Sequence, residues 1–109
     1  MKPGEPEFLY LTTRGRRSGR ARQIEIWFTE RDGRYYVIAE QLWEAQWVKN
    51  LVADPRVLVR VVDREFHARA RVVEVESDLR QAVQELSEKK YGWGDGLVVE
   101  LIPAGPTSL

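Results

Sequence analysis

Five arginines crowded into the stretch Thr12–Arg22 are the residues of this chain most able to do chemistry. They are interleaved with two glycines and a serine, and no acidic residue lies between Phe8 and Ile24. Guanidinium groups present forked donors that match phosphate or carboxylate oxygens, and glycines let backbone N–H groups approach an anion. A solvated basic turn is the alternative, but unneutralised charge of this density is costly in self-repulsion. The stretch therefore predicts a local anion-binding loop. Its arginines are Arg14, Arg16, Arg17, Arg20 and Arg22.

The charge balance of the whole chain limits what this loop can bind. The 109 residues include 17 basic and 17 acidic side chains, so the formal net charge is zero. A nucleic-acid module is therefore disfavoured, because such a module needs a broad basic face. The chain has no cysteine, which excludes disulfides and zinc–thiolate sites, and we expect no metal. It also has neither a secretory signal nor an apolar run long enough for a membrane helix, so we expect one cytoplasmic domain, residues 1–109.

A few other side chains could contribute to a site. Trp43 and Trp47 follow each other at helical spacing with Leu51, which is typical of a core stripe, although one indole could instead form the wall of a flat-ligand site. Asn50 lies one helical turn after Trp47, where its amide could bind a ligand or a backbone group. His67, the single histidine, is expected on the surface. No carboxylate pair and no Ser–His–Asp set stands out, so no catalytic residue is assigned.

The pattern of apolar residues predicts a mostly β domain. Aromatic and β-branched stretches predict strands, Asp-Gly at positions 32–33 predicts a primed hairpin turn, and Ser77 is a suitable helix N-cap. The segment "YGWGDG" (91–96) is either a helix stop or an aromatic lip over a site. The expected order is β-β-β-α-β-β-α-β, a small antiparallel barrel with helices at its rim. The expected strands are Phe8–Thr13, Gln23–Glu30, Arg34–Glu40, Arg56–Val62, Phe66–Val75 and Leu97–Pro103; the expected helices run from Trp43 to Asp54 and onward from Ser77.

Three segments together resemble the deazaflavin-dependent nitroreductase family. They are "LTTRGRRSGRAR", "DGRYYVIAE" and "QWVKNLVADPRV", and the similarity around them runs from about Leu9 to Val61. The combined pattern, a G-R-[KR]-[ST]-G loop followed by W-x-x-N and N-L-x-x-x-P, is fairly specific. Gln46 stands where the family usually has proline before the tryptophan. The resemblance implies an α+β, mostly β fold: a split β-barrel of about six antiparallel strands with two helices, as in FMN-binding proteins and pyridoxamine-phosphate oxidases.

The resemblance also implies an activity and a set of binding residues. Members carry the reduced deazaflavin F420 and pass hydride to quinones, nitro compounds or other electron-poor acceptors. Arg17 and Arg22 match positions that contact the cofactor's phosphate or acidic tail, and Trp47 and Asn50 match positions near the cofactor. The remaining loop positions that match are Arg16, Ser18 and Gly19.

Two questions stay open at this stage. The family's Ser-Lys-Gly-Gly-type loop is missing from "AEQLWEAQW" (39–47), so the cofactor could be F420 or FMN. The alternative to an oxidoreductase is a non-catalytic barrel that binds a flavin, haem or another cofactor. In either case we expect a homodimer, because split-barrel relatives hold their cofactor in a groove between two subunits.

Overall fold

The computed structural model describes residues 7–73 and 77–104, and within these ranges it contains seven strands and two α-helices. All strand pairs are antiparallel, so the expected α+β, mostly β fold is confirmed. The strands are β1 Phe8–Arg14, β2 Ala21–Trp27, β3 Thr29–Arg31, β4 Arg34–Ala39, β5 Arg56–Val61, β6 Arg64–Val72 and β7 Leu97–Pro103. The helices are α1 Gln46–Ala53 and α2 Asp78–Tyr91, and a 3-10 turn spans Leu42–Glu44.

The strand order forces the sheet to curl. The order is β2-β1-β5-β6-β7-β4-β3, so β2 and β3 lie at opposite ends of the sheet. These two strands are nevertheless joined in the chain by Phe28 alone. The two ends must therefore approach each other, and the sheet forms a curled half-barrel, as the split-barrel expectation requires.

The bend at Phe28 corrects one prediction. Gln23–Glu30 was expected to be a single strand, but it divides into β2 and β3, which gives seven strands rather than six. Phe28 is buried, and its backbone N–H donates to Tyr91 Oη at 3.0 Å. Its carbonyl oxygen accepts from Lys90 Nζ at 3.0 Å. The end of α2 thus satisfies the backbone groups that leave the ladder at the bend.

Two local predictions, the hairpin turn and the helix N-cap, are confirmed. Asp32 and Gly33 both have positive φ, 54° and 77°, as a primed hairpin turn requires. The Ser77 side chain accepts a hydrogen bond from the backbone N–H of Arg80 and caps α2. The predicted end of the strand Phe66–Val75 lies partly outside the described residues.

The predicted start of the first helix is wrong. Ala45 is extended, with ψ of 132°, so α1 begins at Gln46 and Trp43 stands in the preceding 3-10 turn. Trp43 is 51% exposed and is not a core residue. The two tryptophans are four residues apart, as on one face of a helix, but a 3-10 turn and an extended residue separate Trp43 from α1.

Three clusters of buried apolar side chains stabilise the half-barrel, and the smallest of them joins Ala39 and Leu97 to Ala45 and Val48. The interior cluster draws on alternate positions of the strands and on one side of α1. A second cluster lies where the outer face of β4 and β7 meets α2. In the described sheet β2 is a terminal strand, and it follows directly on the arginine loop, residues 15–20. Central members of the interior cluster are Leu9, Leu11, Val37, Leu51, Val59, Val99 and Leu101.

Candidate functional site

A groove of about 1070 Å³ lies between β2, at one end of the curled sheet, and β4, next to the strand at the other end. One wall is β2, residues 22–27, and the opposite wall is the end of β4 with the two residues after it, 38–41. The arginine loop closes one end, and α1 contributes Gln46, Trp47 and Asn50. The groove is therefore where the split barrel fails to close, and it is large enough for a ligand of cofactor size.

The arginine loop, residues 15–20, is a compact turn held by its own backbone. Gly15 N–H donates to the Arg20 carbonyl at 2.8 Å, and Gly19 N–H donates to the Gly15 carbonyl at 2.8 Å. Arg20 N–H donates to Ser18 Oγ at 3.1 Å. Gly19 has φ of 72°, and a Cβ on Gly15 would lie 2.9 Å from Ser18 Oγ. The glycines and the serine that sequence analysis assigned to anion binding thus also determine the shape of the loop.

Helix α1 anchors this loop through Asn50. The Oδ1 atom of Asn50 accepts from Arg16 Nη1 at 2.8 Å and from Arg16 N–H at 3.3 Å. Arg16 Nη2 also donates to Gln46 Oε1 at 2.9 Å. Asn50 Nδ2 lies 3.4 Å from Thr13 Oγ1, its acceptor on β1. Arg16 and Asn50 therefore use their polar groups on each other, although both border the groove.

Two arginines remain available to a ligand. Arg17 and Arg22 line the groove, and neither side chain forms an ion pair or hydrogen bond within residues 7–73 and 77–104. Across the same residues, the backbone N–H groups of Arg17 and Ser18 also form no hydrogen bond. Arg17, Ser18 and Arg22 all line the groove, so two guanidinium groups and two adjacent N–H groups without partners among the described residues belong to its border. This is a donor set suited to phosphate or carboxylate oxygens.

The other loop arginines have different surroundings. Arg14 Nε lies 3.7 Å from Asp54 Oδ2, and Arg56 Nη2 lies 2.9 Å from the same oxygen. Hydrogen bonds from Arg56 lower the pKa of Asp54 to about 2. Arg20 is exposed and does not line the groove. Of the five arginines, three border the groove, and Arg16 among them is bound to Asn50 and Gln46, which leaves Arg17 and Arg22 for a ligand.

Aromatic side chains flank the groove away from the loop. Trp47 is partly buried and packs against the core, as the core interpretation expects, and it also lines the groove, so its role toward a ligand stays a prediction. Trp93, from the segment "YGWGDG", also lines the groove. In the same segment Gly92 ends α2 with φ of 80°, so the helix-stop interpretation is confirmed, and the lip interpretation stays a prediction. Trp27 stacks on Tyr91 with ring centroids 4.5 Å apart and 3° between the planes. Sequence analysis did not assign Trp27 or Trp93 to the site, although it singled out the segment around Trp93.

The sequence-predicted site residues are mostly brought together. Arg16, Arg17, Ser18, Arg22, Trp47 and Asn50 all border the groove, whereas Gly19 shapes the loop without lining it. Gln46, Glu25 and Glu40 border it too. Gln46 was noted only as a departure from the family pattern, and no sequence signal assigned it to Arg16.

The described residues also limit other kinds of site. Within residues 7–73 and 77–104, no three His, Cys, Asp or Glu side chains group closely enough to hold a metal ion. Over the same part of the chain, no helix is sufficiently long and apolar to cross a membrane. His67 is exposed on β6 and does not line the groove.

The fold is similar to that of several solved structures. HutZ, the heme storage protein from Vibrio cholerae, superposes with a TM-score of 0.78 at 21% identity over 92% of this chain and 83% of that chain. An F420-H2 dependent reductase (FDR-A) gives 0.75 at 22% identity, over 87% and 93% of the two chains. A structure described as a domain-swapped dimer gives 0.67 at 22% identity, over 88% and 79%. At these identities the likeness establishes the fold alone.

Sequence comparison identifies the family. No curated protein matches the chain. The family model described as F420H2-dependent quinone reductase matches residues 2–95, which is most of the chain and includes the arginine loop, α1 and both walls of the groove. The match names a quinone, so the nitroreductase part of the expected family is not shown. The chain belongs to the F420H2-dependent quinone reductase family.

Proposed function

We propose that this protein binds F420 in the groove and reduces a quinone. The observation that carries the proposal is the pair Arg17 and Arg22, which face a groove of about 1070 Å³ without side-chain partners among the described residues. Two unneutralised guanidinium groups beside a cavity are expected where an anionic ligand group binds. Family membership supports a deazaflavin as that ligand.

The residues present fit such a cofactor. Its phosphodiester and acidic tail would be held by Arg17, Arg22 and the backbone N–H groups of Arg17 and Ser18. Its ring would lie beyond them, between β2 and the end of β4, with Trp47 and Trp93 at the border of the groove. Arg16, Asn50 and Gly19 would hold the loop in its binding shape. When bound, reduced F420 supplies the hydride, and the protein supplies binding, orientation and exclusion of water.

Several finer points belong to the same proposal. A quinone is the preferred acceptor because the family description names it, and nitro compounds are the alternative acceptors. FMN is the alternative cofactor, since one phosphate could also occupy the arginine pair. A non-catalytic haem-binding or flavin-binding barrel is not favoured by the family match. A cytoplasmic location stays a prediction from the sequence.

We also propose that the working form is a homodimer. Phe8 and Trp27 are opposite each other on β1 and β2, about 40% exposed, and both border the groove. Exposed aromatic side chains beside a binding site are typical of a surface that a second subunit covers. The domain-swapped dimer among the similar structures is consistent with this arrangement. Light scattering should report a dimer that buries more than about 1,000 Å² in total, and a monomer at tens of micromolar would contradict it.

The activity is tested with reduced F420 and a soluble quinone. F420H2 alone should be stable in the presence of the protein, and adding the quinone should restore the absorbance of oxidised F420 in proportion to quinone consumed. A nitro compound offered in place of the quinone tests the alternative acceptor. Binding of F420 without turnover on either acceptor would support the non-catalytic alternative and overturn the proposed reaction.

A further inference from the structure

The wall of the groove formed by β2 has an unusual lining. All six residues from Arg22 to Trp27 border the groove. Side chains of a strand point alternately to opposite faces, so one face could supply only every second residue. A groove that contacts six consecutive residues is therefore lined by the edge of the strand, where the backbone N–H and C=O groups lie. In the sheet order, β2 is the terminal strand, and β1 is its only neighbour in the described sheet.

The hydrogen-bond pattern between β1 and β2 shows which backbone groups of β2 point to its free edge. Gly15 N–H donates to the Arg20 carbonyl, and the register continues with Arg14 opposite Ala21 and Thr13 opposite Arg22. In an antiparallel pair, residues that bond to the neighbouring strand alternate with residues whose N–H and C=O point away. Residues 22, 24 and 26 therefore bond to β1, and residues 21, 23, 25 and 27 direct their backbone groups to the free edge.

Hydrogen bonds between other strands show which backbone groups of β4, in the opposite wall, point away from its neighbour β7. Val73 N–H donates to the Val98 carbonyl at 2.9 Å, so residues 97 and 99 of β7 bond to Ala39 and Val37 of β4. The backbone groups of Ile38 then point away from β7. Strand β3 pairs with β4 only as far as Tyr36, so Ile38 lies beyond the end of its partner. Two strand edges without a further strand partner in the described sheet thus face the groove from opposite sides.

Unpaired strand edges offer alternating donors and acceptors. Such an edge is a ready template for any partner that presents donors and acceptors in turn. Flavins and deazaflavins share a ring edge of this kind, the pyrimidinedione, in which one N–H stands between two carbonyl groups. Glu25 lies three residues beyond Arg22, about 10 Å along the strand, so one ligand can reach both the arginine pair and this edge.

We propose that the free backbone edge of β2 at Gln23 and Glu25 binds the pyrimidinedione edge of the cofactor ring. This inference rests on the proposed function and assigns a ring subsite to it. The subsite recognises the ring through the main chain, so it requires no particular side chain at positions 23 and 25. The exposure of Gln23 and the absence of a sequence motif there accord with recognition of this type.

Proline substitution tests the subsite because it removes a single backbone N–H. Glu25→Pro deletes an N–H that faces the groove and leaves the bonds to β1 intact, and an edge strand tolerates proline at such a position. Ala21→Pro is the matched control, since residue 21 has the same phase but does not line the groove. Glu25→Ala separates loss of the side chain from loss of the N–H. Circular dichroism and thermal melting establish that each variant is folded.

The readout is the affinity for F420 and for an analogue methylated at the ring N–H of the pyrimidinedione. Wild-type protein and Ala21→Pro should bind F420 alike, and methylation should weaken binding to both of them and to Glu25→Ala about threefold to tenfold, as expected for one hydrogen bond. Glu25→Pro should bind F420 more weakly by a similar factor and lose much of its discrimination against the analogue. If Glu25→Pro does not fold, the effect of methylation on wild-type binding decides.

Four results would overturn the inference. Equal F420 affinity of Glu25→Pro and Ala21→Pro would show that the edge does not contact the ring, while the proposed function would stand. Wild-type indifference to methylation would have the same meaning. Conversion of a dimer to a monomer by Glu25→Pro alone would identify the edge as a subunit contact. Failure of wild-type protein to bind F420 would remove both the inference and the proposed function.

Discussion

Arg16 donates to Oδ1 of Asn50 through both its guanidinium group, at 2.8 Å, and its backbone N–H, at 3.3 Å. Two residues that the family resemblance assigned to cofactor binding are thus engaged with each other. Asn50 is only 6% exposed, which limits what its amide could offer a ligand. Their effect on binding is therefore expected to be indirect, through the position of the loop that presents Arg17 and Arg22.

Asn50→Ala should lower both stability and affinity. The substitution removes the acceptor of two Arg16 donors and the donor to Thr13, so the free energy of unfolding should fall by about 1–3 kcal/mol. F420 affinity should also fall, because the loop is no longer held to α1. Denaturant unfolding and fluorescence titration measure the two effects. Lys49→Ala is the control, since its ion pair with Glu44, at 3.6 Å, lies on the surface. Unchanged stability with lost affinity would instead indicate that Asn50 contacts the ligand directly.

Arg17→Ala and Arg22→Ala should lower the affinity for F420 but leave the stability of the fold nearly unchanged. Each should weaken F420 binding by roughly 1–3 kcal/mol, the range for losing a hydrogen bond to a charged group. Stability without cofactor should change by less than about 0.5 kcal/mol, because both side chains are exposed and make no described contact. Arg20→Ala is the matched control in the same loop, outside the groove, and should leave affinity nearly unchanged. Early unfolding with normal binding would make these arginines structural.

The buried carboxyl group of Glu100 should make the free energy of unfolding fall as the solution becomes acidic. Burial raises the pKa of this carboxyl, but hydrogen bonds from Tyr36, Arg71 and Arg34 outweigh that effect and the pKa is lowered. A carboxyl with a lowered pKa stabilises the fold above its unfolded pKa, about 4.3, and this contribution is lost as the pH falls below that value. Glu100→Gln should therefore reduce stability at pH 7 and flatten its decline in acid. Urea unfolding across this range measures it, with the exposed Glu65→Gln as control. An unaltered acid limb in Glu100→Gln would refute the assignment.

Tyr36 should affect how the stability of the fold declines at alkaline pH. Burial and its hydrogen bond to Glu100, 2.9 Å long, raise the pKa of Tyr36 to about 12. A raised tyrosine pKa means that the neutral form is favoured in the fold. Its contribution is complete below the unfolded pKa, about 10, and is lost as the pH rises toward 12. Tyr36→Phe should lower stability at neutral pH by about 1 kcal/mol and reduce the alkaline loss, as thermal melts at successive pH values would record. A wild-type-like alkaline limb would be inconsistent with this role.

Local chemistry explains which parts of the structure were predictable. The turn at Asp32-Gly33 and the helix cap at Ser77 involve only residues nearby in the chain, so the local sequence determines their conformation. The division of β2 from β3 depends instead on Tyr91 and Lys90, more than sixty residues away, which bind the backbone of Phe28. Ile24, Ile26 and Phe28 keep a period of two up to the bend, so the buried positions alone do not mark it.

The candidate site divides in the same way. A run of arginines and glycines predicts an anion-binding loop, because the residue types alone carry that chemistry. The separate roles of Arg14, Arg16 and Arg17 depend on Asp54, Asn50 and the groove, which are brought near only by folding. Backbone groups at the free edge of β2 carry no sequence signature at all, because every residue has them.

The most direct test of the account is a titration of the wild-type protein with F420 and with FMN at several salt concentrations. The arginine pair should favour the ligand with the longer anionic tail, so F420 should bind more tightly than FMN. Its affinity should also fall more steeply as salt increases, because more charges are involved. Glu40, which borders the groove, is exposed and should not reverse this order. Preference for FMN, or binding of neither cofactor, would contradict the central claim that the groove and its two arginines form an F420 site.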